Sequence, residues 1–148
     1  MERLLNDDIV RQVKEAFDEQ LQRPVEILFF RQKTGCDYCD DTRHLIEELA
    51  AISDKLHVSI YDLDEDKAIA SQYHVDKTPA LVIAGREDDR IIDYGIRLAG
   101  IPSGHEFSSL IQDLILVSGR DSGLSQPTRD FLKNLTEPVH LQVFVTPT

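Results

Sequence analysis

The amino-acid sequence predicts an α/β protein with a central four-stranded mixed sheet flanked by helices. Two observations indicate this fold class. Short apolar runs of strand length alternate with one-sided helical patterns, and two of the strand-like runs follow each other across a short turn. Strands separated by helices pair in parallel through right-handed crossovers, whereas strands joined by a short turn pair antiparallel. At 148 residues, 41% of them hydrophobic, the chain is long enough for one such domain.

The first part of the chain supplies two helices and two strands. Asn6 starts an N-cap cluster, and apolar residues follow at intervals of three and four until Pro24, which predicts an extra N-terminal helix. Residues 25–30 form a nearly continuous apolar run, typical of a strand covered on both faces. Residues 36–53 carry a helical apolar stripe, and residues 57–63 alternate with period two and predict the second strand.

A short helix and a hairpin come next. Asp64 is a suitable cap for a helix over 65–73, and the apolar runs 80–84 and 90–94 are separated by a glycine-containing turn. We therefore expect the third and fourth strands to form an antiparallel edge of the sheet.

The last third of the chain is predicted to be irregular at first and then helical. Residues 95–104 contain three glycines and a proline, which favours a loop, and an amphipathic helix then begins near Ser103 and ends at Gly119. Ser125 starts one more helix, and the alternation of residues 139–145 predicts a final strand.

Composition excludes several classes of function. The net charge of −11 repels phosphate backbones and anionic lipids, so we expect neither a nucleic-acid partner nor a membrane partner. No apolar run approaches the roughly 20 residues that span a bilayer, and the N-terminal residues lack the order of a signal peptide, so a cytoplasmic location is expected. In that compartment a close cysteine pair more often serves catalysis, redox sensing or metal binding than structure.

The two cysteines, Cys36 and Cys39, have C-x-x-C spacing at the predicted start of the second helix. A thiolate is favoured by the positive end of a helix, whereas a thiol one turn further in is more buried. This asymmetry predicts that Cys36 attacks a substrate disulfide and that Cys39 resolves the mixed disulfide. Between them, Asp37 opposes thiolate formation, with Arg31 and Lys33 as cations to offset it, and Tyr38 supplies an apolar ring.

Half of a zinc site has the same cysteine spacing. Zinc usually needs about four ligands, and none of the five histidines has the required H-x3-5-H spacing. We therefore expect no metal and no cofactor. The histidines considered as ligands are His44, His57, His74, His105 and His140.

Thr78 and Pro79 lie between the third helix and the hairpin. Together with the C-x-x-C helix and the order of elements, they resemble the thioredoxin/glutaredoxin family. The resemblance implies a thioredoxin-like fold, a protein disulfide oxidoreductase activity serving cell redox homeostasis, a cis peptide bond at Pro79, and docking of an extended substrate on Thr78. Asp37 and Tyr38 complete the expected substrate-binding set.

A narrower resemblance is to the N-terminal unit of the two-unit protein disulfide oxidoreductases. It is carried by the N-terminal helix, the run over 100–107 and the ending Val143-Phe144-Val145-Thr146-Pro147-Thr148. It implies a domain over 1–120, with 121–148 as the connecting helix and first strand of a second thioredoxin-like unit that is missing here.

The partners that these resemblances imply are protein disulfides or dithiols, and a thioredoxin-reductase-like flavoprotein or a peroxiredoxin. The tandem segment of peroxiredoxin-reducing flavoproteins is also similar, but its first unit has lost the cysteines that this chain retains as Cys36 and Cys39. Two hypotheses of function remain open: a thiol-disulfide oxidoreductase, or a non-catalytic docking unit that serves a second redox unit.

Overall fold

The fold is known from a computed structural model that describes residues 3–146. It contains a four-stranded sheet in the order β2-β1-β3-β4. The strands are β1 (Val25–Arg31), β2 (Leu56–Asp62), β3 (Ala80–Glu87) and β4 (Arg90–Ala99). Strand β1 is parallel to β2 and antiparallel to β3, and β3 is antiparallel to β4. The predicted mixed sheet is confirmed.

Helices lie on both faces of this sheet. They are α1 (Asp7–Gln20), α2 (Cys39–Ala50), α3 (Lys67–Gln72), α4 (His105–Gly119) and α5 (Gln126–Lys133). Helices α1, α2 and α4 bury their apolar residues in one cluster on the first face, and α3 covers the second face with a smaller cluster. None of these helices is both long and apolar enough to cross a membrane, within the residues described.

Strand β1 is buried on both faces, as its continuous apolar run predicts. Ile27 and Phe29 face the larger cluster, whereas Leu28 and Phe30 face the smaller one. The exception to the apolar run is Glu26, which is 2% exposed and is bonded to the Ser59 hydroxyl and to Arg86 Nη1. A buried carboxylate is tolerated there because its oxygens have charged and hydroxyl partners.

Strand β4 is longer than the sequence predicts. Its pairing with β3 continues past Asp93 to Ala99, with an irregularity that leaves Tyr94 and Gly95 outside the ladder. Gly95 has φ of +86°, a conformation that glycine adopts without strain. The glycine therefore marks a β-bulge inside a strand and not, as predicted, the start of a loop.

The C-terminal end of α4 is hydrogen-bonded to the α1–β1 connection. Ser118 is fully buried, and its Oγ accepts from the backbone N–H groups of Gln22 (2.7 Å) and Arg23 (3.0 Å) and donates to the Arg23 carbonyl (2.8 Å). Arg120 Nη2 adds a bond to the Pro24 carbonyl (3.0 Å). These contacts satisfy backbone groups immediately before the central strand.

We predict that Ser118→Ala lowers the free energy of unfolding by about 2 kcal/mol, because it leaves part-buried backbone groups of the α1–β1 connection without partners. Denaturant unfolding measures the difference. Ser109→Ala, at an exposed position of the same helix, is the control and should change stability by less than about 0.5 kcal/mol. Equal losses in the two variants would contradict this role of Ser118.

The N-terminal segment is attached to α2 by one carboxylate. The Glu48 side chain accepts hydrogen bonds from the backbone N–H groups of Leu4 (2.8 Å) and Leu5 (3.0 Å) and lies 2.9 Å from His44 Nε2. Burial alone would raise the pKa of Glu48, but the two backbone hydrogen bonds and the nearby imidazole outweigh it and hold that pKa below its ordinary value.

Because the pKa of Glu48 is lowered by folding, its ionised form stabilises the protein above the pKa of the unfolded chain, near 4, and this contribution is lost as pH falls through the folded pKa. We therefore predict that Glu48→Gln lowers stability by about 1 kcal/mol at pH 7. The difference from wild type should narrow in unfolding curves recorded below about pH 4. Glu47→Gln, at an exposed ion pair, is the control; a pH-independent effect of Glu48→Gln would contradict the prediction.

The predicted strand over 139–145 is wrong for this chain. Residues 134–146 form no helix or strand, and the side chains of Leu141, Val143 and Phe144 are more than four-fifths exposed. The alternating pattern is present, but no strand within the described residues pairs with it, and an unpaired strand is not stable in water. The final Pro147 and Thr148 of the expected boundary lie outside the described residues.

Candidate active site

The two cysteines form a disulfide in the loop that follows β1. Their Cα atoms are 5.5 Å apart. Cys36 is partly exposed, whereas Cys39 is 4% exposed and belongs to the larger apolar cluster. The predicted difference in burial between the two positions is therefore present, and only Cys36 lies at the protein surface.

Helix α2 begins at Cys39 and not, as predicted, at Cys36. Asp37 and Tyr38 form a turn, and the first backbone bond of the helix runs from the Thr42 N–H to the Tyr38 carbonyl (2.9 Å). The Thr42 hydroxyl bonds to the same carbonyl (2.7 Å), which fixes the start of the helix. Cys36 consequently lies just outside the positive end of the helix, where free N–H groups favour a negative charge.

The two residues between the cysteines are exposed. The Tyr38 side chain is 58% exposed, and Asp37 is also at the surface. The expected offset of Asp37 by nearby cations is not observed. Lys33 forms an ion pair with Glu65, which raises the pKa of the lysine through a hydrogen bond and through charge, and Arg31 has no carboxylate within 4.0 Å in the described part of the chain.

Pro79 is buried at the same end of the sheet. The Thr78-Pro79 peptide bond is cis, as the family resemblance implies. Because Ala80 pairs with Phe30 near the end of β1, the residues before Ala80 lie beside the loop that carries the disulfide. The Gly100 N–H donates to the Pro79 carbonyl (2.9 Å), so the loop after β4 borders the same end.

A hydrogen-bonded chain that the sequence did not reveal links three of these loops. The Thr78 hydroxyl donates to Gln32 Oε1 (2.7 Å), and Gln32 Nε2 donates to Asp64 Oδ2 (3.1 Å). Gln32 thus connects the proline loop, the loop before the disulfide and the β2–α3 turn. Its position in a predicted turn carried no signal for this role, because both partners are distant in sequence.

The expected cap of α3 is also revised. Asp64 accepts from Gln32 and does not cap the helix, whose N-cap residue is Asp66. The Asp62 carboxylate instead organises this turn, because its Oδ1 accepts from the backbone N–H groups of Asp64 (3.0 Å) and Glu65 (3.3 Å).

Potential metal ligands are scattered over the fold. Within residues 3–146, no three or more His, Cys, Asp or Glu side chains are grouped so as to hold a metal ion. The cysteines themselves are bonded to each other.

Comparison with known proteins agrees with this geometry. A family model described as the thioredoxin domain matches residues 24–112, which include the disulfide and the cis-proline. The chain belongs to the thioredoxin domain family. The fold is accordingly thioredoxin-like, with a C-x-x-C disulfide at the position expected for a disulfide oxidoreductase of this family.

Similar proteins include larger members of the family. A protein disulfide oxidoreductase from Aeropyrum pernix is 28% identical, with a TM-score of 0.75 over 88% of this chain and 55% of that one. An alkyl hydroperoxide reductase component of Staphylococcus epidermidis is 29% identical over 97% of this chain. The corresponding alkyl hydroperoxide reductase component of Enterococcus faecalis, at 22% identity and a TM-score of 0.75 over 88% of this chain and 61% of that one, shares the fold.

The chain covers 24% of the length of the Staphylococcus epidermidis relative. It spans about a quarter of the curated relatives that it matches, so their whole activities do not transfer to it directly. Similarity reaches both kinds of protein named from the sequence, including the flavoprotein kind that the retained cysteines had disfavoured.

Proposed function

We propose that this protein is a thiol-disulfide oxidoreductase domain that exchanges disulfides with protein substrates through Cys36 and Cys39. The observation that supports it most is the disulfide itself, which has one partly exposed and one buried sulfur and lies at the same end of the sheet as the buried Pro79. An exposed thiol can attack a substrate, whereas a buried one reaches only its neighbour.

The proposed reaction uses the dithiol form. The Cys36 thiolate attacks one sulfur of a substrate disulfide, forms a mixed disulfide and releases the first substrate thiolate. The Cys39 thiol then loses its proton and attacks the Cys36 sulfur, which restores the observed disulfide and releases the second substrate thiolate. Two electrons pass to the substrate, and the two protons of the dithiol balance the two new thiols.

Substrate docking is proposed for Thr78 and Pro79, with Asp37 and Tyr38 at the rim. No described residue hydrogen-bonds the backbone of Thr78, so its N–H and carbonyl are available to an extended peptide. Such backbone pairing holds a substrate without regard to its sequence. The exposed Tyr38 ring offers apolar contact next to the reacting sulfurs.

For partners, we propose a thioredoxin-reductase-like flavoprotein or a peroxiredoxin, in a cytoplasmic setting that keeps thiols reduced. The support is the similarity to an alkyl hydroperoxide reductase component over nearly the whole of this chain.

We predict that Cys36→Ser abolishes the reduction of insulin disulfides coupled to dithiothreitol, because it removes the attacking sulfur. Cys39→Ser should instead accumulate mixed disulfides with substrate, visible by mass spectrometry and released by excess dithiothreitol. Wild-type protein that gives no rate above the dithiothreitol background would refute the proposed activity.

A second candidate function is a docking unit that serves another redox unit. It is favoured by the exposed apolar surface of α5 and of residues 139–146, which includes Phe131 (66% exposed) and Phe144 (88% exposed). We propose that residues 121–148 connect the domain over 1–120 to a further thioredoxin-like unit that would cover this surface.

The two functions differ in what the cysteines do in a longer protein. If this domain only docks, a two-unit protein that carries it should keep its disulfide reductase activity with Cys36→Ser and Cys39→Ser combined. If the domain exchanges disulfides itself, the double variant should lose that part of the activity that the isolated domain shows. Steady-state assays of both forms at equal concentration separate the outcomes.

A further inference from the structure

We propose that this site selects its substrates by charge: it favours disulfides flanked by lysine or arginine and disfavours anionic disulfides such as oxidised glutathione. The side chains that we assign to this selection are Asp37, Asp40 and Asp41, with the Tyr38 ring as an apolar contact. The inference rests on the proposed disulfide exchange and adds its substrate class.

The first support is the position of these carboxylates. Asp37 lies between the bonded cysteines, and Asp40 and Asp41 occupy the first turn of α2 directly after Cys39. All three are exposed, and none has a cationic side chain within 4.0 Å among residues 3–146. They therefore present uncompensated negative charge within two residues of a reactive sulfur.

The second support is that cations near this end are already paired. Lys33 is paired with Glu65, Lys77 with Asp76 (2.9 Å), and Arg43, one turn along α2, with Glu47 (2.7 Å). Each of these positive charges is therefore largely neutralised for an approaching substrate.

The surrounding loops have the same sign. Residues 31–41 and 62–67 contain seven carboxylates and three cationic side chains. Of these cations, Lys33 is paired, Arg31 is only partly exposed, and Lys67 begins α3. The field in front of the disulfide is therefore negative.

The third support is the aromatic ring. Tyr38 is 58% exposed between Asp37 and the start of α2, where a large apolar side chain has no packing role. An exposed ring beside carboxylates suits the stem and charge of a lysine or arginine, which contact aromatic faces favourably. The same surroundings repel the carboxylates of oxidised glutathione.

Exposed charges act over about 10 Å at 0.1 M salt and more weakly at higher ionic strength, so this selection must depend on salt. Charged surroundings of this kind change association rates by about tenfold or more. Acidic residues in the first turn of a helix also stabilise the helix, and a purely structural role predicts no discrimination between substrates.

The test compares two symmetrical peptide disulfides that differ only in charge, with lysine or glutamate on both sides of the cysteine. The reduced protein is turned over with dithiothreitol, which reduces the protein disulfide while each cycle converts one peptide disulfide to two thiols. Each rate is divided by the uncatalysed rate with dithiothreitol alone. The ratio of the lysine to the glutamate rate then cancels any change in the nucleophile or its potential, because both substrates meet the same sulfur.

We expect a ratio of about tenfold in favour of the lysine peptide at low salt, falling towards one at 1 M salt. Asp40→Asn combined with Asp41→Asn should lower the low-salt ratio severalfold. Asp88→Asn combined with Asp89→Asn removes the same charge from the β3–β4 turn, at the opposite end of the sheet, and should leave the ratio as in wild type.

The outcomes separate this inference from the function on which it rests. Turnover of both peptides at a ratio near one, or equal effects of the two double variants, overturns the charge selection and leaves the disulfide exchange standing. Absence of turnover with either peptide overturns both.

Discussion

The structure depends on the burial of β1 between two hydrogen-bonded neighbours. Six of its seven residues are buried, with apolar clusters on both faces. Because its neighbours β2 and β3 are held in register, the end of β1 brings three loops together: the Cys36 loop, the turn after β2 and the Thr78-Pro79 segment. The candidate site is a consequence of this packing, since none of its loops has regular structure of its own.

The site combines an apolar base with a charged rim. Cys39 is part of the core beneath α2, so its sulfur is held against packed side chains, whereas Cys36 faces the solvent. Around them the Gln32 chain of hydrogen bonds joins the loops, and unpaired carboxylates line the surface. Packing thus decides which sulfur is accessible, and surface charge decides which disulfides approach it.

The chain beyond α4 obeys different physics from the domain. Helix α5 has no buried residue, and its Ser125 cap and local ion pairs stabilise it without a core. Residues 139–146 carry a strand pattern but make no ladder, which leaves apolar side chains in contact with water. Such a surface is costly to expose and is normally covered by another part of a protein.

The sequence by itself determined the elements whose signals are local. Apolar periodicity predicted the helices and the strand order, and C-x-x-C spacing with Thr78-Pro79 predicted the site. Tertiary structure alone decided that β4 continues through a bulge at Gly95, that α2 begins after Cys36, that Gln32 joins three loops and that residues 139–145 form no strand. Each of these depends on a partner distant in the chain, and a partner's presence or absence is not written in the local pattern.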